Sequence, residues 1–300
     1  MLEKQQKPMP FVPMDLGDII DRGIKLYIRN FITYVGIIAI IWVPVYVFFF
    51  ILGFIGITTR AWLFLFPFGI LLILLTVFGW PLTMCAITWA VSENFLGKSS
   101  TIKSAYKMVW EKKWPMIGTF FLISMLWFIL TGLFALTIFI GIKFPIALIF
   151  IFVFIAPAVL LILWVLMIPM VITLEDKYYL KALWRSKKLF QDSPGKVILL
   201  IILVTILGTV VQWIVAMFIL LPTGILIGPQ GGTATGLNFL ANLLSQLVSA
   251  MVIPFIQACY VLLYYDIRIR KEGMDLEILA KELGYHDMPG IPAGESPSIH

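Results

Sequence analysis

Six stretches of this chain carry no charged side chain: residues 31–57, 62–91, 116–142, 144–174, 197–222 and 238–265. Each exceeds the roughly 20 residues that cross a hydrocarbon core of about 30 Å as a helix. In lipid the backbone must satisfy its own hydrogen bonds, which leaves helices or a closed barrel. Barrel strands alternate apolar and polar at every second residue, and these runs do not. The sequence therefore predicts an all-α integral membrane protein with six transmembrane helices. Their length calls for tilt, kinks or ends that project beyond the lipid. Composition agrees, since 13% of residues are charged against about 25% in soluble domains. Segment 1–30 is polar and contains proline, with no short apolar stretch before a small-residue cleavage site, so no cleavable leader is expected.

The charges are strongly partitioned. All 16 acidic residues and 20 of the 22 basic ones fall in segments 1–30, 92–114, 175–196 and 266–300. Only Arg60 and Lys143 lie elsewhere. Excess Lys and Arg marks the cytoplasmic side, so both termini are expected in the cytoplasm, with Arg60, Lys143 and the Gly-rich segment 228–236 outside. A multi-pass protein of the plasma membrane follows.

Three of the charged segments precede a pair of apolar runs, and each holds an amphipathic helix pattern. In the first, Leu16, Ile19, Ile20, Gly23 and Tyr27 share a face, with Asp15 as N-cap. In the third, Tyr179, Ala182, Leu183, Ser186 and Phe190 repeat that spacing. Laying Leu16 on Tyr179 also superposes Arg22 on Arg185 and Lys25 on Lys188. In the middle segment Ile102, Ala105, Tyr106, Val109 and Trp110 form a stripe whose register against the others the sequence leaves open. The second run of each pair contains a proline, Pro81, Pro169 or Pro254, which removes one backbone hydrogen bond and kinks a helix. These features predict one membrane domain over 1–283 built from three units, 14–91, 99–174 and 177–265. Each unit is an interfacial helix followed by a transmembrane hairpin. A cytoplasmic helix over 266–283 follows, with Leu276, Leu279, Ala280 and Leu283 on one face, and then a disordered, Pro/Gly-rich tail over 284–300.

The candidate functional residues fall into groups. Arg22, Lys25, Arg29, Lys107, Arg185 and Lys188, with Trp110, Trp114 and Trp184, are expected to contact lipid at the interface, where each Lys or Arg near an anionic leaflet contributes roughly 1 kcal/mol and aromatic rings favour the headgroup level. Glu93 and Asp266 end matched spans, at the same spacing after Pro81 and Pro254, and are expected to pair with Arg22 or Arg185. In the last run Asn238, Asn242, Ser245, Gln246 and Ser249 follow helical spacing, with Gln257 further in and Gln212 able to join from the fifth run. This stripe reads either as a polar vestibule or as interhelical hydrogen bonding. Cys85 and Cys259 lie in apolar runs and read as small packing residues. No metal, cofactor or nucleic-acid site is expected. The two histidines, His286 and His300, lie in the tail, and the basic-aromatic stretches all adjoin membrane spans.

The N-terminal LGDIIDRGIKLYIRNF and the C-terminal PFIQACYVLLYYDIRIRKEGMDLEILAKEL resemble the signatures of the bacterial and archaeal glycerophosphoryl diester phosphodiesterase membrane domain family. The resemblance covers essentially the whole chain as a membrane domain. It implies a relative of the region that accompanies a separate catalytic barrel in multidomain enzymes. The barrel and its histidine and carboxylate chemistry have no counterpart here, so enzymatic activity is not expected. Two functions remain: a scaffold or accessory subunit organising lipids or partner proteins at the cytoplasmic face, or a channel-like, uncoupled transporter of a lipid-related solute. Coupled transport is disfavoured because no span carries an ionisable residue.

Overall fold

The computed structural model describes residues 12–59, 62–143, 151–227 and 232–273. Within them the chain forms α1 (Leu16–Arg29), α2 (Phe31–Thr59), α3 (Trp62–Phe95), α4 (Ile102–Glu111), α5 (Lys113–Lys143), α6 (Ile151–Glu175), α7 (Tyr179–Asp192), α8 (Pro194–Ile227) and α9 (Gly232–Glu272). Three short amphipathic helices thus alternate with three pairs of long ones. The six long helices are apolar enough and long enough to cross a membrane, as the uncharged runs predict.

Local chemistry sets the ends of these helices. Asp15 caps α1, and its N–H donates to the Asp18 carboxylate at 3.1 Å. Thr101 and Ser104 form a reciprocal box at the start of α4, with Ser104 N–H donating to Thr101 Oγ1 at 3.2 Å and Thr101 N–H to Ser104 Oγ at 2.9 Å. At the end of α3, Gly97 takes φ 81°, and the N–H groups of Gly97 and Lys98 return to the carbonyls of Asn94 and Glu93. This is a Schellman close that only glycine makes without strain.

Helix ends run past the charge-free segments. Glu93, Glu175 and Lys196 all lie within long helices, because a terminal charge that finds a partner does not stop a helix. For the same reason residues 266–272 continue α9 rather than start a new element. Gly273, at φ 61°, follows the last helical residue. Leu276, Leu279, Ala280 and Leu283, the tail, Arg60 and residues 228–231 lie outside the described residues; Gly232–Gly236 begins α9.

Packing concentrates at the charged end of the bundle. The second helix of each pair, α3, α6 and α9, touches the other two. α9 is the most enclosed of the long helices and α5 the least. From Ala258 to Tyr265 every α9 residue is buried. The short helices lie on the inner ends of these three: α4 on α3, α7 on α6, and α1, the first of the described helices, on α9, the last of them. The predicted faces are used in part: Trp110 and Tyr179, which the spacing placed on them, are exposed, and Leu26 and Leu189 are buried beside them. Ile19, Gly23 and Leu26 of α1, Ala105 and Val109 of α4, and Ala182, Ser186 and Leu189 of α7 are buried. Pro81, Pro169 and Pro254 are buried inside continuous helices. Pro44, Pro67 and Pro157 also sit within helices, positions the spacing pattern did not single out.

Candidate functional site

The charged end is closed by two ion-pair clusters. In the first, the fully buried Asp266 carboxylate accepts from Met14 N–H at 2.7 Å, from Arg270 Nε at 3.0 Å and from Lys196 Nζ. Lys196 and Arg270 both also donate to the Met14 carbonyl. The segment before α1 is thereby fastened to the inner ends of α8 and α9. In the second cluster, Arg185 of α7 grips Glu175 through Nε at 2.7 and 2.9 Å, and its Nη2 donates to Glu272 at 2.8 Å. Arg268 Nε reaches the same Glu272 at 2.9 Å, and Tyr264 OH donates to Glu175 at 3.0 Å. Partial burial works against the Arg185 charge, but Glu272 and Glu175 outweigh it and hold the guanidinium above its ordinary pKa.

These partners correct one expectation. Asp266 pairs with Lys196 and Arg270, Glu93 lies 3.5 Å from Lys98, and Arg185 serves Glu175 and Glu272. The reason is reach: Asp266 and Glu93 take bases on their own helix, just beyond its end or at a neighbouring helix terminus, and Arg185 meets the helix ends that carry Glu175 and Glu272. Arg185 is also drawn out of the lipid-contacting group, since it is largely enclosed within its cluster.

The other interfacial candidates lie at or near the surface. Lys25 is exposed and pairs with Asp21 at 2.6 Å. Arg29, Lys107 and Lys188 are exposed, and Arg22 is half-buried. Trp110, Trp114 and Trp184 are all exposed, with Lys113 3.9 Å from the Trp110 ring centre and Lys187 4.8 Å from that of Trp184. They form an aromatic-basic rim around the charged end.

A further tie joins α4 to the turn before α7. Lys112 pairs with Asp176, which also accepts from Tyr178 OH at 2.9 Å. Burial tends to raise the Asp176 carboxyl, but Lys112 and Tyr178 outweigh it and hold it below the ordinary value. A depressed carboxylate contributes stability above its unfolded pKa and loses it as pH falls through the folded one. Lys112→Ala is therefore expected to lower stability at pH 7 by at most about 1 kcal/mol, the scale of an exposed pair. Melting curves of the two proteins should converge as pH drops below the ordinary carboxylate range. A gap that persists there would assign the effect to packing instead.

The polar residues of the last span divide between settings. Gln257 is buried and donates to Thr88 Oγ1 at 2.7 Å, with Met170 Sδ at 3.9 Å, so it joins α9 to α3 and α6. Ser249 Oγ donates to the Ser245 carbonyl of its own helix at 2.7 Å. Asn242, Gln246 and Gln212 are exposed, and Ser245 is half-buried; the Asn238 side chain lies outside the described ones.

Sequence reasoning missed a cavity of about 600 Å³ among α2, α3, α5 and α6, lined by Trp42, Val77, Pro81, Phe120, Ser124 and Val165 among others. It lies between apolar runs that carry no local signature of a site. Trp42, Trp80 and Trp127 on its wall are the one signal the sequence held. At the charged end, a wider groove of about 970 Å³ runs past Lys196, Arg270 and Lys271. Among the described residues, no group of three or more His, Cys, Asp or Glu is arranged to hold a metal ion. Cys85 and Cys259 are free and buried.

Fold and site together define a class, an all-helical bundle with six helices compatible with membrane crossing and a charged collar at one end. No family model, curated protein or solved structure matches the chain.

Proposed function

We propose that this chain is a non-enzymatic, multi-pass scaffold or accessory subunit of a bacterial or archaeal plasma membrane. Its collar faces the cytoplasm and holds anionic lipids or a protein partner. The observation that carries this reading is the closure of the charged end. Gln257, the innermost of the polar stripe, is buried and bonded to Thr88, and the two ion clusters seal the helix ends around it. Meanwhile the aromatic-basic rim stays exposed. A sealed bundle with a basic skirt suits attachment better than conduction, and the uncoupled-transporter alternative finds less support here. Membership in the glycerophosphoryl diester phosphodiesterase membrane domain family, without the catalytic barrel, remains part of this proposal.

The threefold repeat belongs to it as well. In its favour, each short helix rests on the second helix of a pair, and α1 completes the cycle on α9. Gly23 and Ser186, equivalent when Leu16 is laid on Tyr179, are both buried against a neighbouring long helix, with Ser186 Oγ donating to the Trp164 carbonyl.

Quantifying anionic lipid that co-purifies from mixed membranes tests this reading. Neutralising Arg29, Lys107 and Lys188 together should lower its retention at least tenfold, given roughly 1 kcal/mol per basic residue near an anionic leaflet. Unchanged retention, or a cysteine at position 25 labelled from outside intact cells, would overturn it.

A further inference from the structure

The first ion-pair cluster leaves positive charge unbalanced. Lys196 and Arg270 share one buried carboxylate, Asp266, and both also donate to the Met14 carbonyl. Two cations held on the same acceptors repel each other, and one carboxylate neutralises only one of them. Their side chains are 19% and 38% exposed, so water does not fully screen either. Lys271, next along α9, is exposed and adds a third positive charge. Asp15 lies 3.7 Å from Arg270, but its side chain is 92% exposed and offsets little of that charge. Counted together, these three cations and the Asp266 and Asp15 carboxylates leave one positive charge in excess.

The same three cations line the groove of about 970 Å³ at the charged end. Lys196 and Arg270 each have more N–H groups than the bonds above use. The first turn of α8 lines the groove as well, through Gly195 and Lys196, and carries no acidic residue. It adds the positive end of a long helix. Apolar residues complete the lining, among them Leu16 and Leu199. Leu199 lies one turn beyond Lys196 and is 46% exposed, on the stretch Pro194–Phe218 that reads as a membrane span. The groove thus runs from a basic end at the collar to an apolar end on a surface that lipid covers.

We infer that this groove holds the headgroup of a phospholipid with one net negative charge, drawn from the leaflet at the collar. Its phosphate oxygens accept from Lys196, Arg270 and Lys271, and its acyl chains run along α8 past Leu199. A phosphate diester offers acceptors enough for three cations, whereas a fatty acid brings only the two oxygens of a carboxylate. A zwitterionic choline headgroup carries its own cation into a site already in positive excess. This deepens the reading of the collar as a holder of anionic lipid and rests on it, but it uses none of the rim residues Arg29, Lys107 and Lys188.

The test uses the full-length protein in phosphatidylcholine nanodiscs that contain a phosphatidylglycerol with a diazirine high on one acyl chain. Labelling is expected on the α8 peptide that contains Leu199. Changing Lys196 or Arg270 would also break the cluster around Asp266, so the decisive variants lie outside it. A Cβ built on Gly195 meets nothing within 4 Å, and an acid in a first helical turn is favourable. Gly195→Glu should therefore keep the melting temperature while placing a carboxylate in the groove. It should lower labelling about fivefold, the scale of one charge near an anionic lipid, while Gly195→Gln, of equal size, should stay within about twofold of wild type. Lys271→Gln should also lower labelling about fivefold. Unlabelled phosphatidylglycerol should compete, and oleate and soluble glycerol phosphate should not. Neutralising Arg29, Lys107 and Lys188 together should leave the α8 label in place. Equal losses in Gly195→Glu and Gly195→Gln, unchanged labelling in Gly195→Glu or Lys271→Gln, effective competition by oleate or glycerol phosphate, or a label lost with the rim would overturn the inference. Anionic lipid retained by the wild-type protein with no label on α8 would overturn the groove alone and leave the collar reading standing.

Discussion

Replacing Asp266 with alanine is expected to cost about 3–5 kcal/mol of stability, the scale for breaking a buried pair by removing one partner. Its carboxylate is fully buried and accepts from Met14 N–H, Arg270 and Lys196. Without it, Lys196 keeps only the Met14 carbonyl among the described residues, and Met14 N–H loses the acceptor that satisfies it. Met14 N–H sits where water is scarce, and the Lys196 side chain is about four-fifths enclosed, 19% exposed. Met14 itself is fully buried, so the segment before α1 should also loosen and become open to protease. Unfolding titrations of the detergent-solubilised protein measure the first effect, and limited proteolysis the second. Asp266→Asn should fall between wild type and Asp266→Ala, since the amide oxygen still accepts but the countercharge is gone. Adding Lys196→Met to Asp266→Ala should recover at least about 1 kcal/mol, because the stranded ammonium is removed with its partner. A cost for Asp266→Ala below about 0.5 kcal/mol, the scale of an ordinary surface substitution, would mean that the cluster is not a structural clasp.

That clasp shows what the sequence could and could not disclose. The six long helices were legible because uncharged runs of this length have few folded solutions. The buried faces of α1, α4 and α7 were legible from the helical period of their apolar residues, and Asp15 from its position before the first of them. Asp266 and Glu93 were recognisable as the least ordinary acids, yet their partners were not. Asp266 finds Lys196 of α8 and the backbone of Met14, near the other end of the chain. Which base reaches which acid depends on how the helix ends are arranged in space, and a repeat pattern does not fix that. Arg185 illustrates the same limit. Its place beside Lys188 on an amphipathic helix suggested lipid, but α7 lies against α6 and α9, so the guanidinium meets Glu175 and Glu272 first. The cavity was hidden for another reason. Trp42, Ser124 and Val165 come from three helices and share no spacing, and only packing brings them together.

The seating of α1 on α9 leads to the second large effect. A Cβ built on Gly23 would lie 2.7 Å from Cys259 Sγ and 3.7 Å from its backbone N. The two helices approach closely here because Gly23 presents no side chain. Cys259 is fully buried, so its sulfur has little room to retreat. Gly23→Leu should therefore cost about 3 kcal/mol, the upper part of the usual range for overpacking a core. Gly23→Ala should cost about 1 kcal/mol, the lower end of that range, and Cys259→Ala should relieve most of it by vacating the volume the new methyl needs. The same cysteine change should not rescue Gly23→Leu, whose bulk meets the α9 backbone and not only the sulfur. Unfolding free energies of the single and double variants distinguish these cases. The comparison also reports on the collar as a whole. Among the described residues α1 is the first helix and α9 the last, so their contact converts a row of helices into a closed ring. If Gly23→Leu were tolerated to within about 0.5 kcal/mol, as an exposed position tolerates substitution, α1 would not be seated on α9, and the ring would be open between the ends of the chain.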